Sequence, residues 1–209
     1  MRAKIVELPT RYDLATHPEG IDEHQPLDFH SPYGCSKGTA DQYMRDYARI
    51  YGLPTVVFRM SCIYGTRQFG NEDQGWVVHF LRSGLFGQKL TLYGDGKQVR
   101  DVLFIDDLVH AFDRARAAID RTCGQVYNIG GGRTNSISVW HEFNPLIREL
   151  TGNELNADRQ GWRPGDQLYY VSDTRKAARD FGWTPRFTIR DGLNRVLTWL
   201  RETRPVAPA

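Results

Sequence analysis

The sequence predicts an α/β layered fold, because strand-like segments alternate along the chain with segments of helical periodicity. The helical stretches repeat apolar residues at i, i+3 and i+4, while two short uncharged runs, 55–58 and 126–129, read as buried strands. Two such strands do not make a stable parallel sheet with helices on both faces. The pattern therefore also predicts that the chain lacks part of its sheet.

Each element has a local reason. Residues 1–32 hold Pro9, Pro18, Gly20, Pro26 and Pro32 among polar side chains and read as a long loop. Residues 33–51 form a helix on Ala40, Tyr43, Met44, Tyr47, Ala48 and Tyr51, stopped by Gly52 and Pro54. The strand 55–58 follows, and the chain turns at Tyr64-Gly65. Residues 75–86 are a second helix on Trp76, Val77, Phe80, Leu81 and Leu85. Residues 90–93 are a strand before the turn Gly94-Asp95-Gly96, and 101–105 are another. Asp106 and Asp107 are read as the cap of a helix ending near Ile119. The strand 126–129 ends in Gly130-Gly131-Gly132. Ser136 or Ser138 should cap a helix carrying Val139, Trp140, Phe143, Leu146, Ile147 and Leu150, kinked at Pro145. Asp173 should cap a short helix ended by Gly182, and a last helix runs from about Ile189 to Glu202.

The composition bounds the function. The 209 residues are 40% hydrophobic, with five Trp, ten Tyr and ten Phe, which is enough for a packed core. The net charge of +2 comes from 27 basic and 25 acidic residues without a like-charge run, so nucleic acid is not suggested. Cys35, Cys62 and Cys123 are odd in number and lack metal-ligand spacing, which predicts no metal site and a reducing cytoplasm. No apolar signal region opens the chain and no stretch reads as a membrane span.

One pair carries chemistry. Tyr33 and Lys37 stand four residues apart at the start of a helix, on one face. An ammonium beside a phenol favours the phenolate, as does a cationic nicotinamide. Such a tyrosine can take a proton from a sugar hydroxyl while hydride leaves the carbon. The spacing alone is common by chance, so its meaning depends on the rest of the chain.

The rest is an ordered series. Ser31-Pro32-Tyr33-Gly34-Cys35-Ser36-Lys37 is followed by Arg59-Met60-Ser61-Cys62-Ile63-Tyr64-Gly65 and Gly94-Asp95-Gly96-Lys97-Gln98-Val99-Arg100-Asp101. Phe104-Ile105-Asp106-Asp107-Leu108, Tyr127-Asn128-Ile129-Gly130-Gly131-Gly132, Arg163-Pro164-Gly165-Asp166 and Gly182-Trp183-Thr184-Pro185 complete it. Over nearly its whole length the chain resembles the C-terminal two-thirds of an extended short-chain dehydrogenase/reductase of the nucleotide-sugar epimerase/dehydratase type. The segments 30–52 and 65–80 are most similar to the 2-epimerases of CDP-linked dideoxyhexoses.

The resemblance implies the C-terminal part of an NAD(P)-binding Rossmann fold with a small α/β substrate-binding domain. Residues 1–65 and 120–135 would belong to the first, 66–119 and 136–203 to the second, and 204–209 would be a tail. It implies NAD as cofactor, a nucleotide-sugar substrate (a CDP-sugar favoured) and a place in O-antigen sugar biosynthesis. Tyr33 would be the acid/base, and Lys37 would hold the nicotinamide ribose. The stretch with Phe58, Arg59 and Ser61 would pass the nicotinamide. Arg100 would pair with the substrate pyrophosphate, with Arg163 and Asp166 at the nucleotide end. Gln74, Gly75 and Trp76 would lie against the nucleotide sugar. Cys62 stands where many relatives carry an Asn that contacts substrate phosphate, and it reads as a small buried filler. The bland alternatives are a solvated ion pair for Arg100 and Asp101, and a simple turn for Arg163 to Asp166.

The family begins with a strand, a GxxGxxG loop and a helix that bind the NAD pyrophosphate. These 209 residues contain no such loop, and Gly130-Gly131-Gly132 opens no helix that could replace it. The expectation is an N-terminally truncated epimerase that by itself is inactive, binds NAD weakly and aggregates. It would associate with its missing half or with a second copy through the helix of Tyr43 and Tyr47. The rival readings are a non-catalytic remnant that binds a nucleotide sugar or a partner chain, and a dehydratase or 4-epimerase.

Overall fold

The computed structural model describes residues 4–203; the expected tail at 204–209 lies outside them. The first element corrects the expected loop. β1 (Ile5–Glu7) and β2 (Tyr12–Leu14) form an antiparallel hairpin. With three residues each, the strands carry too little alternation to be read from sequence, and their order comes from outside. The Tyr12 hydroxyl donates to Asp95 at 2.6 Å, and Arg133 holds Asp13 at 2.7 Å.

Helix α1 (Pro32–Tyr51) follows the sequence pattern. Ser31 caps it by accepting from the Gly34 N–H at 3.0 Å, and Gly52 closes it in the left-handed region at φ 65°. β3 (Val57–Met60) lies two residues later than expected, and β4 (Cys62–Tyr64) continues it where a turn was read. β3 pairs in parallel with β7 (Val126–Ile129), whose four residues are all buried. β4 pairs instead with β6 (Val99–Phe104), so the chain changes sheets at Ser61. β3 itself is only partly buried: Met60 is exposed, and among the described residues β3 pairs with no strand but β7.

β6 is the centre of a second sheet. It pairs in parallel with β10 (Tyr169–Tyr170) and antiparallel with β8 (Ser136–Ser138). β5 (Lys89–Tyr93) pairs in parallel with β9 (Asn156–Gln160), a polar strand without alternation that the sequence does not announce. α2 (Trp76–Phe86) forms as expected.

Two helix starts differ from the sequence reading. α3 (Ile105–Ala117) has no side-chain cap, and Asp106 and Asp107 sit in its first turn. The buried Asp107 carboxylate accepts from the Arg186 and Phe187 N–H groups, at 3.0 Å each, and from the Arg186 guanidinium. α4 (Ile119–Thr122) is a single turn after it. α5 (Phe143–Thr151) begins later than expected, because Ser136–Ser138 is strand β8. The Ser138 hydroxyl accepts from the Glu142 N–H, and the Glu142 carboxylate accepts from the Ser138 N–H. That exchange starts the helix. Pro145 therefore falls in the first turn, where its missing N–H is not needed, and does not kink it. α6 (Arg175–Phe181) and α7 (Ile189–Thr203) complete the chain.

Two cores result. One gathers Leu81, Phe143, Ile147, Leu193 and Val196 between α2, α5 and α7. The other holds Leu108, Ala111, Tyr127, Ile129, Phe181 and Trp183. α3 and α6 thus pack with β3 and β7.

Candidate active site

Tyr33 and Lys37 lie on the first turns of α1. Tyr33 is 67% exposed, and the Lys37 ammonium stands 5.5 Å from the centre of its ring. The Phe29 ring lies across the helix at Gly38, where an added Cβ would come within 1.9 Å of it. Glycine there lets the preceding segment fold back onto the helix that carries the pair.

β3 alternates between two faces. The Phe58 ring turns into the core and stacks on Phe112 at 5.2 Å. Arg59 turns to α1, where its Nε donates to the buried Asp41 at 2.6 Å. Both side chains are committed to the fold, so this stretch offers a nicotinamide its backbone and its exposed end at Met60. The Ser61 hydroxyl is also engaged. It donates to the main-chain oxygen of Asp101 at 2.7 Å and to the Asp101 carboxylate.

The second group lies around β6. The Arg100 guanidinium donates to the Val99 carbonyl at 2.8 Å and, among the described residues, has no ion pair. Burial pulls its pKa down, against the nearby Cys62, Asp166 and Asp101. The expected alternative of an Arg100–Asp101 ion pair is not formed, because Asp101 accepts from Ser61, Gly132 and Ser172. Cys62 accepts from the Trp76 indole N–H at 3.3 Å, and burial pushes its thiol up. Trp76 packs edge to face on Phe143 at 5.1 Å and is half-buried, so its place is chiefly in the core. Gln74 closes a turn with Asn71, and Gly75 caps α2 at φ 73°. Arg163 lies 3.7 Å over the Tyr93 ring and donates to the Glu72 carbonyl. Asp166 is exposed, and its N–H closes a turn on the Arg163 carbonyl at 3.2 Å.

A cavity of about 890 Å³ lies elsewhere, among α1, α6 and the amino end of β7. Three of its four arginines are already paired, Arg59 with Asp41, Arg175 with Asp173 and Arg179 with Asp180, and Arg45 reaches the Gln42 side chain. Among the described residues no group of three His, Cys, Asp or Glu could hold a metal, and no helix is long and apolar enough to cross a membrane.

Residues 12–130 match the NAD dependent epimerase/dehydratase family. The CDP-paratose 2-epimerase of Salmonella typhi is 42% identical over 201 residues, covering 94% of this chain and 59% of that protein. The chain belongs to the NAD dependent epimerase/dehydratase family. Its members here include the dTDP-glucose 4,6-dehydratase of Streptomyces antibioticus, 36% identical over 87% of this chain and 52% of that enzyme. The structure of a dTDP-glucose 4,6-dehydratase from Bacillus anthracis in complex with NAD superposes with a TM-score of 0.76 at 30% identity. That match covers 88% of this chain and 57% of the dehydratase. The fold is therefore that of the family's NAD-binding α/β enzymes, and NAD is the family's cofactor. The chain spans less than two-thirds of the length of these relatives.

The residues present fit one end of that cofactor. The exposed Tyr33, Lys37 beside it and the open end of β3 suit a nicotinamide riboside. The glycine-rich loop that suits its pyrophosphate is not among the 209 residues. Sequence reasoning missed Asp101, which joins both groups of site residues. Its only sequence signal was its place after Arg100, which suggested the wrong partner.

Proposed function

We propose that the chain is the acid/base and substrate-binding portion of an NAD-dependent nucleotide-sugar epimerase. The observation that carries this reading is the exposed Tyr33 with the Lys37 ammonium beside it at the capped start of α1. Bound NAD would supply the hydride acceptor and donor for a sugar carbon. Tyr33, acting as the phenolate, accepts at its oxygen the proton of the hydroxyl on that same carbon, becomes a neutral phenol, and gives the proton back when the hydride returns. Lys37 stabilises the phenolate that stands there before the proton arrives, and donates to the ribose hydroxyls. Arg100 is a half-buried cation that forms no ion pair among the described residues, suited to the pyrophosphate of the substrate. Arg163 and Asp166 belong to the loop that frames the nucleotide end. Gln74, Gly75 and Cys62 line the way between.

The greater likeness to the CDP-paratose 2-epimerase than to the dehydratase favours a CDP-linked dideoxyhexose inverted at C2. A glycine-rich loop for the NAD pyrophosphate is not among the 209 residues, so the test supplies a dinucleotide-binding half. The test is to incubate the chain with NAD and CDP-paratose, alone and with such a half, and to follow the sugar H2 signal by NMR. Conversion to the 2-epimer only in the second mixture supports the proposal. Dehydration of dTDP-glucose in its place selects the dehydratase reading. Binding of the nucleotide sugar without turnover in either mixture selects the remnant.

A further inference from the structure

Trp162 has no part in the site described so far. It is a large ring, 45% exposed, immediately before Arg163. Its position is fixed from below. β5 pairs with β9 so that Tyr93 lies opposite Gln160, and the Gly94 N–H donates to the Gln160 carbonyl at 3.1 Å. Two residues on, the indole lies on the backbone of Gly94, where an added Cβ would stand 2.9 Å from the ring. Gly94 is in the left-handed region at φ 73°, so it serves both the turn and the close approach. One part of the indole is thus seated on a glycine turn while nearly half of its surface stays in solvent.

The same loop leads to the two arginines. Arg163 is stacked on Tyr93, and Asp166, four residues after Trp162, lies close enough to act on the charge of the half-buried Arg100, which has no ion pair among the described residues. A ligand with an anionic group for Arg100 and a flat aromatic group for Trp162 would use both features. A nucleoside diphosphate has both, and bases stack on aromatic side chains whatever their sequence identity. Resting on the nucleotide-sugar reading above, we propose that Trp162 is the stacking platform for the base of a nucleoside diphosphate whose pyrophosphate is held by Arg100.

Calorimetry of the 209-residue chain with CDP and with inorganic pyrophosphate tests this. Trp162→Leu keeps an apolar contact with Gly94 but offers no π-face, and lowers CDP affinity at least tenfold while leaving pyrophosphate affinity unchanged. Trp162→Phe keeps a ring and stays within threefold of the parent. Arg100→Gln weakens both ligands. A Trp162→Leu chain that binds CDP as tightly as the parent overturns the platform. An Arg100→Gln chain that binds both ligands unchanged, or a parent chain that binds neither, overturns the nucleotide reading instead. Tryptophan fluorescence gives a second reading that needs no leucine variant. CDP changes the emission of the parent and not of Trp162→Phe; an equal change in both overturns the platform.

Discussion

The Ser61 hydroxyl donates to both the main-chain oxygen and the carboxylate of Asp101, at the point where the chain leaves one sheet for the other. Asp101 is fully buried, and its carboxylate also accepts from the N–H groups of Gly132 at 3.1 Å and Ser172 at 3.2 Å. One side chain thus ties the β3–β4 crossing, the glycine loop after β7 and the strand region near β10. Asp101→Ala would strand two buried N–H donors and is expected to cost about 3 kcal/mol or more of stability. Asp101→Asn keeps an acceptor and costs less. Urea unfolding midpoints of the two variants check the order; equal midpoints would contradict it.

Asp13 and Arg133 give a prediction with a pH sign. The hydrogen bond from Arg133 holds the Asp13 carboxyl below its usual range, against the opposing effect of burial. A depressed pKa contributes stability above the unfolded value of about 4, and that contribution is lost as pH falls through the folded value. Arg133 is 42% exposed, so solvent screening limits the gain to about 1 kcal/mol or less. Hydrogen exchange at Tyr12–Leu14 should rise below pH 4 in the parent and be raised already at pH 7 in Asp13→Asn. Exchange independent of pH and of the substitution would leave the pair without a role in holding the hairpin.

The elements legible in the sequence were those whose own side chains fix them. α1, α2, β5, β7 and α7 announce themselves by apolar spacing and by glycine stops. β9, with the sequence Asn-Ala-Asp-Arg-Gln, is a strand because β5 lies beside it. The hairpin depends in the same way on Asp95 and Arg133. The start of α5 was misread because Val139 and Trp140 continue the helical spacing, while the Ser138–Glu142 exchange sets the true boundary. In the site, the shared face of Tyr33 and Lys37 at the start of α1 was readable from their spacing, while the role proposed for them came from the ordered series of motifs. The commitments of Arg59 to Asp41 and of Ser61 to Asp101 were not, since 18 and 40 residues separate the partners.

The cysteines should differ in reactivity. Cys35 is exposed on α1, whereas Cys62 is only half-exposed beside the Trp76 indole and its thiol is pushed up by desolvation. The thiolate is the reactive form, so both exposure and burial point the same way. An aromatic disulfide reagent at pH 8 should modify Cys35 quickly and Cys62 only on unfolding. Peptide mapping after partial labelling gives the order, and early labelling of Cys62 would contradict this packing.

The outer face of α1 should drive association. Tyr43, Met44, Tyr47, Ile50 and Tyr51 are all exposed on this helix. An apolar patch of this kind usually marks an interface or a liability to aggregate. Sedimentation velocity should show concentration-dependent association, weakened by Tyr43→Lys together with Tyr47→Lys. A parent chain that stays monomeric at all concentrations would show that this face is tolerated in water.

Tyr33 and Lys37 are separable from the fold, and this makes the chemistry testable. The Tyr33 ring is largely in solvent and its hydroxyl supports no packing, so Tyr33→Phe should leave the thermal midpoint within about 1 °C. The phenol oxygen is the proposed seat of the sugar proton. In a preparation supplied with a dinucleotide-binding half, Tyr33→Phe should lower kcat by about 10²–10⁴-fold, the range for removing a general acid/base. KM should change little, because the nucleotide end is held elsewhere. Lys37→Ala should lower kcat as well and also weaken NAD, since it is assigned both the phenol and the ribose. A Tyr33→Phe enzyme with parental kcat would remove the acid/base role from this residue, whatever the fate of the nucleotide site.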